Sequence, residues 1–246
     1  MLKKFALIIY SIYCYLLFWL MGMVTVLYLL LILAFASRKK KGEYLYWWIW
    51  WYSEIFGWLV GVRYKVTGRE NFQKNTPYVV TSNHNAVSDM FIMVNAMRGI
   101  NYRPLSKIEL SRVPMFGFLW RHTLVFVDRK SPESRHKSIH ELEKLITREN
   151  ISVLIFPEGT RNRTANPLKE FYDGAFRIAI ECKVPVIPMV MINTKGITPQ
   201  NTWIIHPGLL ECHFLPPVFT EGLTEADVPA LKDKVYKMMQ QVLLEQ

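Results

Sequence analysis

Residues 83–89 read NHNAVSD, which sets a histidine, His84, and a carboxylate, Asp89, five positions apart. They follow the apolar run PYVVTS and precede MFIMVNAM, so they stand where a strand hands over to a helix. On one continuous helix, side chains five apart diverge by about 140°. Only a turn followed by a helix start lets Asp89 fold back onto the imidazole, with Ser88 in position to cap that helix. Such a carboxylate accepts a bond from Nδ1–H, fixes the tautomer and leaves Nε2 free to take a proton from a hydroxyl. The chain has no G-x-S-x-G elbow, which points to attack by the substrate's own hydroxyl.

A histidine beside an aspartate is often only a structural pair, so the reading needs a second site. Residues 152–164, SVLIFPEGTRNRT, supply one. Pro157 stops a strand, Glu158 offers a carboxylate, and Gly159 permits close backbone approach, with Thr160 beside it. Arg161 presents a planar fork suited to a phosphate monoester, and Arg163 either reinforces it or faces water. Lys107, directly after the expected strand 102–106, is the cation chosen to complete a phosphate pocket, whereas Arg112, Arg129 and Lys130 read as solvated surface charge.

Other motifs carry less. His136 and His140 stand four apart on an expected helix but lack an obvious third ligand, so no metal is expected. Asn162-Arg163-Thr164 matches a glycosylation sequon, a pattern short enough to arise by chance, and is discounted. No phosphate-binding or dinucleotide glycine pattern is present.

The elements that must position these residues begin with an anchor. From Phe5 to Ser37 there is no charged residue, a run long enough to span a bilayer core and too long for the apolar part of a signal peptide. Residues 38–42, basic at 38–41, follow as a turn, and 43–62 concentrates Trp47, Trp48, Trp50, Trp51 and Trp58 as an interface helix would. A buried aromatic core helix is the alternative for that second segment. Residues 1–62 are thus read as a two-helix membrane-associated segment and 63–246 as one α/β domain.

The formal net charge of +10 gathers in part around the apolar segments, which suggests anionic lipid rather than nucleic acid as the partner. Cys14, Cys182 and Cys212 are odd in number and widely spaced, consistent with a reducing, cytoplasmic-side domain on the inner face of a cell membrane. Beyond residue 65, strands are expected at 77–82, 102–106, 123–128, 152–157 and 184–192, with a pair, 203–206 and 209–214, around Pro207-Gly208. Amphipathic helices are expected at 88–97, 133–149, 173–181 and over the last twenty residues. The fold class is α/β, a central mixed sheet flanked by helices.

In order along the chain, NHNAVSD (83–89), SKIEL…VPMFG (106–117), FPEGTR (156–161) and VPVIP (184–188) resemble the four blocks of the glycerolipid acyltransferases, typified by the enzymes that acylate 1-acyl-glycerol-3-phosphate. The likeness covers nearly all of 65–220 and the hydrophobic start. It implies His84 as general base with Asp89 as partner, and Glu158, Gly159, Arg161 and Lys107 around the acceptor's phosphate. Pro185 and Pro188 would shape the acyl-donor side. The implied reaction moves an acyl group from acyl-CoA or acyl carrier protein to the sn-2 hydroxyl of lysophosphatidic acid, with no cofactor and no acyl-enzyme. Ala86 departs from the serine that many members carry there, which weakens any choice of acceptor by analogy. The alternatives are another lyso-lipid, such as lysophosphatidylglycerol or a lyso-ornithine lipid, and a non-catalytic lipid-binding protein of the same fold.

Overall fold

The computed structural model describes residues 2–35, 38–113, 116–128 and 131–245. Two long antiparallel helices come first, α1 (Leu2–Phe35) and α2 (Arg38–Leu59). The basic residues expected to form the turn instead open α2. A mixed domain follows, with strands β1 (Val62–Thr67), β2 (Val79–Ser82), β3 (Tyr102–Lys107), β4 (Val125–Val127), β5 (Ser152–Ile155), β6 (Val186–Ile192) and β7 (Gly208–Phe214). Its helices are α3 (Asp89–Ala96), α4 (Phe116–Thr123), α5 (Pro132–Glu149), α6 (Gly174–Glu181), the single turn α7 (Thr194–Ile197) and α8 (Val228–Leu244).

Among the described residues the strands form one sheet in the order β1-β7-β6-β2-β5-β3-β4. The five strands from β6 to β4 are mutually parallel, while β7 runs antiparallel to β6 and parallel to β1. Strand β1 had no expectation attached, because VRYKVT alternates charge on its exposed edge. The expected strand at 203–206 is not one: the Ile205 N–H donates to Ser11 Oγ on α1 at 3.0 Å, and β7 takes β1 and β6 as neighbours instead.

Central strands buried on both faces need apolar residues on both, and here they have them. Val79, Val153, Ile155, Val186 and Val190 point into a core covered by α5, α6 and α8. Val80, Leu154, Ile187, Met189 and Met191 point the other way, into a core shared with α1, α2 and α3. Enclosing each such side chain contributes roughly 1.5–3 kcal/mol. Helix α5 starts where Ser131 Oγ accepts the Ser134 N–H and stops at Asn150, whose φ of 55° is left-handed.

Helices α1 and α2 are part of this second core. On α1, Ser11, Cys14, Gly22, Thr25, Leu29 and Ile32 are buried, a stripe at helical spacing that faces α2 and the domain. On α2, the Phe56 ring stacks on Phe91 of α3 at 5.1 Å, and the single Tyr46 hydroxyl hydrogen is within reach of both the Tyr102 and the Thr123 carbonyl. The opposite faces stay bare: Leu16, Leu20, Leu27 and Leu31 on α1, Trp47 and Trp58 on α2 are exposed. Of the two alternatives for the second segment, the core helix is met on the face of α2 that packs against α1 and α3, while the opposite face is bare.

Candidate active site

Strands β2 and β5 are parallel neighbours, so the turns that leave their carboxyl ends emerge side by side. The first turn carries His84 and the second Glu158 and Arg161. Before the turn, Asn83 closes the end of β2 onto β6: its amide accepts from the Met191 N–H and donates to the Met191 carbonyl, both at 2.8 Å. A side chain thereby imitates a strand pairing, and the chain is released at residue 84 with its direction set.

Asp89 lies at the start of α3, fully buried. Its Oδ2 accepts three N–H groups, from His84 Nδ1 at 2.6 Å, Asn85 N at 2.6 Å and Ala86 N at 2.9 Å. The carboxylate that orients the imidazole therefore also builds the turn that presents it. Ser88 stands at the N-cap as expected, but its hydroxyl donates to the Thr194 carbonyl and does not cap. The His84 ring lies over Phe156, 4.3 Å between centroids, and is 25% exposed. Its Nε2 has no hydrogen bond among the described residues. Burying a negative oxygen among three N–H donors costs less than burying it bare.

Glu158, expected to hold an acceptor's phosphate, is instead turned inward and fully buried. Oε1 accepts the His84 backbone N–H at 2.7 Å and Oε2 the Lys169 N–H at 2.9 Å. Burial pushes its carboxyl above the ordinary range, and the two N–H donations oppose that rise. Fully buried and bonded to backbone at both oxygens, Glu158 braces the turn that carries the base. Gly159 has φ 70°, and a side chain there would meet the Tyr172 ring at 2.7 Å. Its glycine is a backbone requirement.

Thr160 and Arg161 are exposed beyond that bend. Arg161 and Arg163 line one wall of a cavity of about 330 Å³ whose other walls come from residues 85–88, the segment 197–205, and apolar side chains of α1 and α2 such as Phe18 and Phe56. Neither guanidinium is ion-paired among the described residues. Lys107 is exposed at the end of β3 and does not line this cavity, nor do Pro185 and Pro188, which sit before and within β6. The discounted sequon is unusable in the fold, because Asn162 is buried and its side chain is bonded to Thr164 and Asn166.

Two residues with structural importance here went unread in the sequence, Asn83 and Gln200. Asn83 had a local signal, since it follows the strand and precedes the histidine. Gln200 had none: its role depends on a segment more than a hundred residues away folding back over the turn.

A family model described as Acyltransferase matches residues 63–192, more than half of the chain. The chain belongs to the acyltransferase family. It is similar to the human 1-acyl-sn-glycerol-3-phosphate acyltransferase alpha, 35% identical over 188 residues, covering 76% of this chain and 66% of that one. The 1-acyl-sn-glycerol-3-phosphate acyltransferase of Saccharomyces cerevisiae is 28% identical over 189 residues, covering 76% of this chain and 62% of that one. The match thus spans just under two thirds of the curated relatives' own length. The crystal structure of the 1-acyl-sn-glycerophosphate (LPA) acyltransferase PlsC from Thermotoga maritima superposes with a TM-score of 0.80, covering 99% of this chain and 97% of that one at 21% identity. That likeness extends over α1 and α2 as well as the mixed domain, so the docked two-helix start is part of a shared fold.

Proposed function

We propose that the protein transfers a fatty acyl group from an acyl thioester, acyl-CoA or acyl carrier protein, to the sn-2 hydroxyl of lysophosphatidic acid, giving phosphatidic acid. The observation that carries this is the His84 imidazole, held by Asp89 at 2.6 Å with Nε2 unoccupied, on the turn whose next residues, 85–88, line an arginine-walled cavity that turns apolar toward α1 and α2. The names of the human and yeast relatives support the same acceptor.

The chemistry follows from those groups. His84 Nε2 takes the proton of the sn-2 hydroxyl as its oxygen bonds to the thioester carbonyl carbon, and the imidazolium that forms is met by the buried Asp89 carboxylate. The tetrahedral intermediate collapses, the carbon–sulfur bond breaks, and the leaving thiolate takes the proton back from Nε2. Base and proton donor are one group, and no acyl-enzyme is needed. Arg161, with Arg163 beside it, would bind the acceptor's phosphate, a planar fork against a tetrahedral dianion. Thr160 and Gly159 would approach the same headgroup through the bend, and Lys107 would have to reach it from the neighbouring strand end.

Membrane association belongs to the same proposal. Within helix α1 the 31-residue span Leu2–Ile32 is long and apolar enough by composition to cross a bilayer. Its buried stripe is already spent on the domain, so its bare face suits it to lie against or dip into one leaflet. The acceptor and product would then stay in lipid, avoiding ~0.8 kcal/mol for each methylene drawn into water. We place the catalytic domain on the cytoplasmic side of a cell membrane.

The test is acyl transfer to a panel of lyso-lipids by the wild type and Arg161→Ala. The proposal predicts preference for lysophosphatidic acid and a variant whose KM rises for that acceptor far more than for phosphate-free ones. Equal activity on a lyso-ornithine lipid, unchanged by the substitution, would remove the phosphate clamp.

A further inference from the structure

The catalytic turn and the arginine loop come from different strands, and one side chain outside both spans them. Gln200 Nε2 donates to the Asn85 carbonyl at 3.0 Å and to the Asn162 carbonyl at 2.6 Å. Asn85 follows the base directly, and Asn162 follows Arg161 directly. The two loops also meet without Gln200, through the Asn162 N–H on the His84 carbonyl at 2.6 Å. Together these bonds close a ring that contains the base's own peptide and the peptide next to the guanidinium. Both amide hydrogens of one side chain are used, and both accepting carbonyls belong to loops with no strand partner at that point.

Gln200 is itself held from two sides. Two residues before it, Thr198 Oγ1 accepts the Ser88 N–H at 3.1 Å and donates to Ser88 Oγ at 2.9 Å, which ties the segment to the start of α3. Beyond it, Tyr15 Oη on α1 donates to the Trp203 carbonyl at 3.0 Å, and Ser11 Oγ accepts from Ile205 N. Gln200 is thus flanked on both sides by segments tied to α3 and α1.

We infer that Gln200 is a positioning residue for acyl transfer, setting the separation between the His84 imidazole and the Arg161 guanidinium so that a phosphate held by one presents its neighbouring hydroxyl to the other. The inference rests on the acyl-transfer reading above. Misplacing a reacting pair by a fraction of an ångström lowers rate without unfolding the protein.

Two variants of matched length test it. Gln200→Met removes both donors, and Gln200→Glu sets a carboxylate against two carbonyl oxygens. Expected for both is a cooperative melt and a kcat/KM for lysophosphatidic acid lower by about thirtyfold, the order that a sub-ångström misplacement of reacting groups costs. In an Arg161→Ala background the same substitution should cost less than about threefold, because the distance it sets no longer matters. A full thirtyfold loss in both backgrounds, or no loss in either, overturns the role. So does absence of a cooperative melt in both variants, which would make Gln200 a structural tie. Amide exchange over residues 83–89 and 156–164 gives an independent arm. Faster exchange confined to those loops in Gln200→Met supports the bridge, and unchanged exchange overturns it. If the wild type transfers no acyl group, the functional reading fails while the exchange arm still judges the bridge.

Discussion

The Glu158 carboxylate accepts the backbone N–H of His84 at 2.7 Å, across 74 residues of chain. A carboxylate in a loop that sequence reading assigns to substrate is spent on holding the peptide of the base. The consequence is that two carboxylates support one imidazole, Asp89 through its ring and Glu158 through its backbone.

Glu158 gives a pH signature to stability. Burial raises its pKa above the ordinary 4.5, so the folded chain holds the proton more tightly than the unfolded one. Its contribution is therefore full below the ordinary value and is lost as pH rises through the raised one. Melting wild type and Glu158→Gln in parallel across acid to neutral pH should show the wild-type advantage shrinking upward through that window. An advantage that grows with pH would mean the His84 and Lys169 N–H groups outweigh burial.

Asp89→Asn separates geometry from charge. An asparagine oxygen at the Oδ2 position still accepts the three N–H groups, but the imidazolium loses its counter-ion, and the unpartnered Oδ1 site receives an NH₂. Activity should fall by roughly 10²–10⁴-fold, read as kcat under saturating substrates. A loss below tenfold would reduce Asp89 to a turn-building residue.

Gly159→Ala should destabilise by about 1–3 kcal/mol in denaturant titration, from its left-handed φ and the meeting with Tyr172. Adding Tyr172→Ala should recover only the contact part of that loss. Complete recovery would show that the backbone conformation costs nothing.

The exposed tryptophans of α2, Trp47 at 55% and Trp58 at 67%, should enter lipid. Replacing both with serine is expected to weaken partition into phosphatidylglycerol-containing vesicles about tenfold, with the domain's melt unchanged. Unaltered partition in a flotation assay would turn this face away from the bilayer.

How far the sequence spoke depends on whether the signal was local. The β-branched runs of β2, β5 and β6 and the helical periodicity of α5 and α8 are local, and their elements lie where expected. His84 and Asp89 were legible as a pair because a five-residue spacing across a strand-to-helix turn leaves few other geometries. Residues 203–206 looked like a strand because WIIH is β-prone, yet a contact with Ser11, far away in sequence, fixes them as a strap. Glu158 looked like a ligand because nothing in FPEGTR says which way its carboxylate points. That direction is decided by two backbone N–H groups from other segments.

The central claim is that the His84 imidazole is the proton acceptor in acyl transfer. Purified wild type and His84→Ala, both shown to melt cooperatively, would be assayed for transfer from acyl-CoA and from acyl carrier protein to lysophosphatidic acid. The account predicts turnover by the wild type with at least one donor and a loss of roughly 10³-fold or more in the variant. Transfer by His84→Ala at a rate near that of the wild type would contradict it.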